Sequence, residues 1–277
     1  VSALVDFVHA AVSRFSGVIA SYHGDHFVAT FNAVSSCGNH AAAAARAALA
    51  LRDGSADAAF GCSFRVGIAT GRCHIGNLGN KDVKTFSTIG PAYQHACVLE
   101  RLTRMYTAEG VATIDSGTVL ATRRTCVDIA TMFRFRFVDI VPLPGRSAGS
   151  AKAATLVATV LEPFPEVQGG DADGNDEEWL YVVAGNDRQD VNAAWNEAFV
   201  KLSTDDVVGA TAMMAQYKQY VPEVQDSAAS GERSAHTVLV SARSEAAAMA
   251  RFNELLEAPA AKRFADLGRY YASGFRV

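Results

Sequence analysis

Two apolar runs, Val18 to Tyr22 and Phe27 to Phe31, are separated only by His23-Gly24-Asp25-His26. A link that short, with Gly and Asp at its centre, folds the runs back on each other as an antiparallel hairpin with Asp25 at its tip. A two-stranded ribbon is marginal alone in water, so the flanking residues must supply a layer for it to pack on. Upstream, Leu4, Val8, Ala11, Val12 and Phe15 recur at helical spacing over residues 2–15 and stop at Gly17. Downstream, the alanine-rich run from Asn39 to Arg52 has the highest helix propensity in the chain, and Gly54 is placed to end it.

The same mixture continues. Phe64, Val66 and Ile68 alternate as a strand, Cys73 and Ile75 read as its return, and Phe86 and Ile89 close another short strand before a helix from Ala92 to Tyr106. Thr118 to Thr122 reads as a short helix, and Phe133 to Val141 and Thr155 to Leu161 as two more strands. Helices and strands alternate irregularly with hairpins between them, which predicts an α+β sandwich over residues 1–162.

Residues 163–189 change character. Pro163, Pro165, Gly169 and Gly170 lead into Asp171, Asp173, Asp176, Glu177 and Glu178, the composition of an acidic, Gly-rich linker, with room for one short strand. Beyond it, Trp195, Phe199, Val208, Met213, Met214, Tyr217 and Tyr220 fit a helical pair. Val238 to Leu256 and Lys262 to Tyr271 fit two further helices. Residues 190–277 therefore read as a small all-α module, folding separately and contributing binding rather than chemistry.

At 277 residues and 49% hydrophobic, the chain can bury a full core. A net charge of −4 argues against a protein built mainly to bind nucleic acid or an anionic membrane, while leaving room for a local basic site. Five cysteines (Cys37, Cys62, Cys73, Cys97 and Cys126) are scattered without CxxC spacing, so neither a disulfide framework nor a zinc site is indicated and a reducing cytoplasm is the natural setting. The most apolar stretch, Ala41 to Leu51, is too short and too interrupted by charge to span a bilayer. The chain opens at Val1 in helix-patterned sequence and reads as a piece of something longer.

Taken in order, Gly17-Val18-Ile19, Gly24-Asp25-His26-Phe27-Val28-Ala29-Thr30-Phe31-Asn32, Arg65-Val66-Gly67-Ile68-Ala69-Thr70-Gly71, Gly76-Asn77-Leu78-Gly79 and Phe86-Ser87-Thr88-Ile89-Gly90 resemble the catalytic domain of the class III nucleotidyl cyclases, the adenylate and guanylate cyclases. The resemblance covers about three fifths of the chain, residues 1–162. It implies a ferredoxin-like cyclase sandwich with helices on one face of a mainly antiparallel sheet, and a first strand missing from this sequence. The implied reaction is conversion of a purine nucleoside triphosphate to its 3′,5′-cyclic monophosphate and pyrophosphate, at a cleft formed with a second cyclase-type domain.

In the family two aspartates hold two divalent cations, Mg²⁺ or Mn²⁺, for in-line attack on the α-phosphorus. Asp25 falls on the second of those positions; the first belongs to the missing strand. The alternative reading of Asp25 is a turn residue. Ser21 stands where the adenine-reading lysine is implied and Thr85 where an aspartate or similar polar residue is implied; neither supplies the same hydrogen-bond pattern. The helix positions of an asparagine and, four residues on, an arginine are Gln94 and Val98. Gln94 is the candidate for the ribose contact, whereas Val98 cannot stabilise charge developing on phosphorus. Arg146, in Val141-Pro142-Leu143-Pro144-Gly145-Arg146, occupies the place of a phosphate-contacting lysine turn, or is simply a solvated loop arginine.

Three other patterns are set aside. Gly71 to Asn77 has the spacing of a phosphate-binding loop but lacks its lysine. His23 and His26 flank Asp25 without a reason to converge on a metal. Asp171-Ala172-Asp173-Gly174-Asn175 echoes a calcium loop but has Val182 where the bidentate glutamate belongs. Two readings remain open: the metal-bearing half of a heterodimeric cyclase, and a non-catalytic domain that regulates or scaffolds a signalling partner.

Overall fold

A computed structural model describes residues 2–57, 63–107, 114, 117–142, 154–164, 191–229 and 242–258. The fold is α+β, as the alternation of patterns predicts. In chain order the elements are α1 (Ser2–Arg14), β1 (Gly17–His23), β2 (His26–Phe31), α2 (His40–Asp57), β3 (Val66–Ile68), β4 (His74–Gly79), β5 (Lys84–Ile89) and α3 (Pro91–Tyr106). They continue with β6 (Val119–Thr122), α4 (Arg123–Ile129), β7 (Phe133–Pro142), β8 (Ala154–Pro163), α5 (Val191–Ser203), α6 (Val207–Ala229) and α7 (Ala242–Glu257).

The centre is a four-stranded sheet in the order β3-β6-β8-β7, with β3 and β6 parallel and the other pairs antiparallel. Alternation along β8 shows how it is covered. Leu156, Ala158 and Val160 face one layer with α2, α4 and α5, while Val157 faces the other with Val98, Leu99, Leu102 and Tyr106 of α3. Helices thus cover both faces, where the sequence reading put them on one. The β1-β2 and β4-β5 hairpins are separate two-stranded sheets. The first packs Ile19, Phe27 and Phe31 on Val8, Val12 and Leu51 of α1 and α2.

Two expectations are corrected. Val119–Thr122 is a strand, not a helix: it is buried throughout and hydrogen-bonds on both sides, to β3 and β8. The helix begins at Arg123, where the Thr122 side chain accepts from the Thr125 N–H as N-cap. Gly54 does not end α2, which runs on to Asp57. Its missing side chain is where α1 leans in, since a Cβ there would lie 2.9 Å from the Phe7 ring.

The helices after Val191 share their core with the sheet. Trp195, Ala198, Phe199, Leu202, Met214, Tyr217, Phe252 and Leu255 belong to the same buried cluster as Phe133, Phe137, Ile140 and Ala158. Strand β7 is an edge strand, and α5 closes its open side. The Phe137 N–H donates to Asn196 Oδ1 at 2.8 Å, Asn196 Nδ2 donates to the Phe135 carbonyl at 2.9 Å, and Trp195 Nε1 donates to the Phe137 carbonyl at 2.7 Å. Two side chains stand in for the next strand at Phe135 and Phe137, which satisfies those edge groups and blocks pairing there. The acidic linker, Arg146, the calcium-like run and the helix expected over Lys262 to Tyr271 lie outside the described residues.

Candidate functional site

The β1-β2 turn consists of Gly24 and Asp25, between a paired His23 and His26. Gly24 has φ of 65°, a conformation that favours glycine, so the turn depends on residue 24 rather than on the carboxylate beside it. Asp25, His23 and His26 are all exposed. Ser21 lies on β1 just after a register shift between Ile19 and Ser21, and is partly buried.

Thr85 is exposed on β5, in a hairpin that projects from the body with most of its residues exposed. Gln94 lies in the first turns of α3 and is exposed, whereas Val98, one turn on, is 7% exposed and packs against Leu120, Val138 and Val157. The two positions therefore do not present a common face to solvent. Val98 is core, and a residue there reaches outward only if α3 rolls on the sheet. Gly67 holds α3 close: a Cβ at that position would meet the Ala96 carbonyl oxygen and would lie 2.7 Å from the Glu100 nitrogen.

Ser21 and Asp25 stand on one hairpin, Thr85 on another and Gln94 on a helix. The described residues bring no group of three or more His, Cys, Asp or Glu side chains together in an arrangement that could hold a metal ion. A divalent cation implied by the resemblance does not fit Asp25 alone, because Mg²⁺ bound by a single exposed carboxylate gains too little over its hydration shell. Among the described residues no helix is long and apolar enough to cross a membrane.

One curated relative is 31% identical over 150 residues, "Adenylate cyclase 1" of Rhizobium meliloti (strain 1021), the match covering 51% of this chain and 21% of that protein. The likeness supports the class III nucleotidyl cyclase family. The match spans about a fifth of the cyclase's length. No family model matches the chain. Solved structures with a similar backbone include the adenylyl cyclase CyaB from P. aeruginosa (TM-score 0.46, 19% identity, 58% of this chain and 80% of that one). Another is the guanylate cyclase domain of RhGC from Catenaria anguillulae in complex with GTP (TM-score 0.45, 17% identity, 59% and 82%).

The polar groups the sequence reading missed lie elsewhere, on β7. Arg136 and Asp139 are buried charges in the middle of a strand, and their ion-pair partners come from the helices after Val191. The visible signal is Asp139 inside Phe137-Val138-Asp139-Ile140-Val141, where the alternation of Phe133 to Phe137 gives way to a run that is otherwise apolar, the pattern of a strand buried on both faces.

Proposed function

We propose that this chain is a class III cyclase homology segment of cyclic-nucleotide signalling that does not make a cyclic nucleotide by itself. It works against a second cyclase-type domain, to whose shared cleft it presents the Gly24-Asp25 turn. The observation that carries this reading is the contrast between a retained, exposed Asp25 and a Val98 built into the core. A hydrophobic side chain sealed under a helix cannot stabilise charge on a phosphoryl group, and loss of such a cation costs orders of magnitude in rate. Asp25 would contribute one carboxylate to a Mg²⁺ or Mn²⁺ whose other ligands come from outside the described residues.

A protein partner is supported by exposed apolar side chains. Ile75, Leu78, Phe86 and Ile89 on the β4-β5 hairpin, with Tyr93 at the start of α3, are left uncovered, as is Tyr22 on β1. The reducing setting suggested by scattered, free cysteines fits a cytoplasmic location. The second reading, a domain that regulates or scaffolds a partner without a metal, is favoured by Ser21, Thr85, Gln94 and Val98 together.

Labelled ATP and GTP with Mn²⁺ test the first statement: the chain alone is expected to form no cyclic product above an Asp25→Ala control, and product above it overturns the proposal. A chain extended by the first strand that the resemblance implies, mixed with a cyclase domain that has lost its own metal aspartates, separates the readings. Asp25-dependent product marks a metal-bearing half, and binding without product marks a regulatory domain.

A further inference from the structure

Helix α7 meets β7 through two crossed ion pairs. Glu245 approaches Arg136 at 2.7 Å, and Arg251 lies 3.2 Å from Asp139. Along a helix, residues 245 and 251 are separated by a rise of about 9 Å; along a strand, residues 136 and 139 are about 10 Å apart. Side chains three apart on a regular strand face opposite ways. Here Arg136 is opposite Thr159 and Asp139 opposite Val157, so the shift in register between Phe137 and Asp139 returns both to one face. The bulge is what makes the second pair attainable. The signs also set direction, because α7 reversed would place Glu245 beside Asp139 and Arg251 beside Arg136.

Both pairs are enclosed. The Asp139 side chain is 0% exposed and that of Arg251 12%. Tyr217 donates to Glu245 and accepts from Arg136, whose guanidinium lies 3.9 Å from the centre of the Trp195 ring. Buried ion pairs are poor sources of net stability compared with apolar packing, but they penalise any misregistered docking heavily. From Asp139 the contact continues to α3, since Tyr106, its last residue, donates its hydroxyl to Asp139 Oδ2 at 3.1 Å.

We propose that α7 is a direction-specific latch on β7 that positions α3 through the relay Arg251–Asp139–Tyr106. The helix that carries Gln94 and Val98 is thereby tied to the C-terminal helices. Asp139, Arg251 and Tyr106 are positioning residues, and the proposal does not rest on the cyclase reading.

Hydrogen exchange of the full chain, read segment by segment without nucleotide, tests it. Arg251→Ala is expected to raise exchange about tenfold or more in α7 and in the last turn of α3, Thr103 to Tyr106, with α1 and the β1-β2 hairpin at the wild-type rate. Tyr106→Phe keeps the ring and removes only the hydroxyl. It is expected to loosen the same turn of α3 while α7 stays protected. General destabilisation would move every segment together, so selectivity is the informative readout. Release of α7 with α3 unchanged overturns the relay, as does Tyr106→Phe with α3 at the wild-type rate. If Arg251→Ala unfolds the chain throughout, the Tyr106→Phe result decides alone.

Discussion

Trp195→Ala tests whether the C-terminal helices are part of the sheet's core or an attachment to it. Trp195 is fully buried, makes ring contacts with Phe199, Tyr217 and Phe252, lies under the Arg136 guanidinium and donates to the Phe137 carbonyl. Removing a buried aromatic costs ~3–5 kcal/mol in transfer and cavity terms. The stranded Phe137 carbonyl adds ~1–3 kcal/mol, since Asn196 occupies the amide beside it rather than that oxygen. The total, about 4–8 kcal/mol, is of the order of a domain's whole stability of ~5–15 kcal/mol. Trp195→Phe keeps most of the packing and loses the N–H, so about 1–3 kcal/mol is expected. Urea unfolding followed by far-ultraviolet circular dichroism avoids the lost fluorophore. At a slope of ~2–3 kcal/mol/M for a protein of this size, the alanine variant is expected to unfold ~2 M earlier in one transition. A biphasic curve whose second phase keeps the wild-type midpoint would refute the shared core and restore the separately folding helical module.

Gly67→Ala is expected to cost ~1–3 kcal/mol, because its Cβ meets the backbone of α3 at Ala96 and Glu100; a wild-type thermal midpoint would refute the close approach. Burial pushes the Cys126 thiol far up, so it stays protonated and enclosed; thiol labelling should reach Cys126 only after unfolding, and modification in the native protein would contradict the packing of α4 on β8. The Asp139 carboxyl is raised by burial, with Arg251, the Ile140 N–H and the Tyr106 hydroxyl partly offsetting it. A carboxyl raised on folding contributes stability fully present below its unfolded value of ~3.9 and lost as pH rises through the folded one. The stability of the wild type relative to Asp139→Asn is therefore expected to decline as pH rises from ~4, and a rising difference would reverse the sign argued here. Asp25→Ala should leave the unfolding midpoint within ~0.5 kcal/mol of wild type, since the turn rests on Gly24; a larger loss would make Asp25 a structural residue.

Local patterns were readable wherever one element packs against its sequence neighbours. The β1-β2 hairpin follows from two alternating runs around Gly24-Asp25, and α1, α2 and α3 follow from apolar spacing. Val119–Thr122 was misread because its four residues are buried on both faces, so the strand has no polar alternation to show, and short apolar runs do not distinguish helix from strand. The two-module division went by composition: the acidic break at residues 169–178 is real in the sequence, but a linker's solubility does not say whether the elements on either side of it touch. What joins them, Trp195, Asn196 and Arg251 reaching β7, is long-range and leaves no periodic trace.

The candidate site is a nomination from motif order: Ser21, Asp25, Thr85 and Gln94 lie at exposed or partly buried positions of β1, the β1-β2 turn, β5 and α3. What no spacing rule could supply was which way each helix position turns. Gln94 and Val98 are four apart, and an i,i+4 pair on an isolated helix shares a stripe. On a helix pressed onto a sheet, that stripe can straddle the boundary between core and solvent. Gly67 brings α3 so close that position 98 falls on the buried side, and a valine there is satisfied by packing. A charged residue at the same place would need the helix rolled outward. With valine at position 98, α3 seats on β3 and β6, and its last residue, Tyr106, hydrogen-bonds Asp139 of β7.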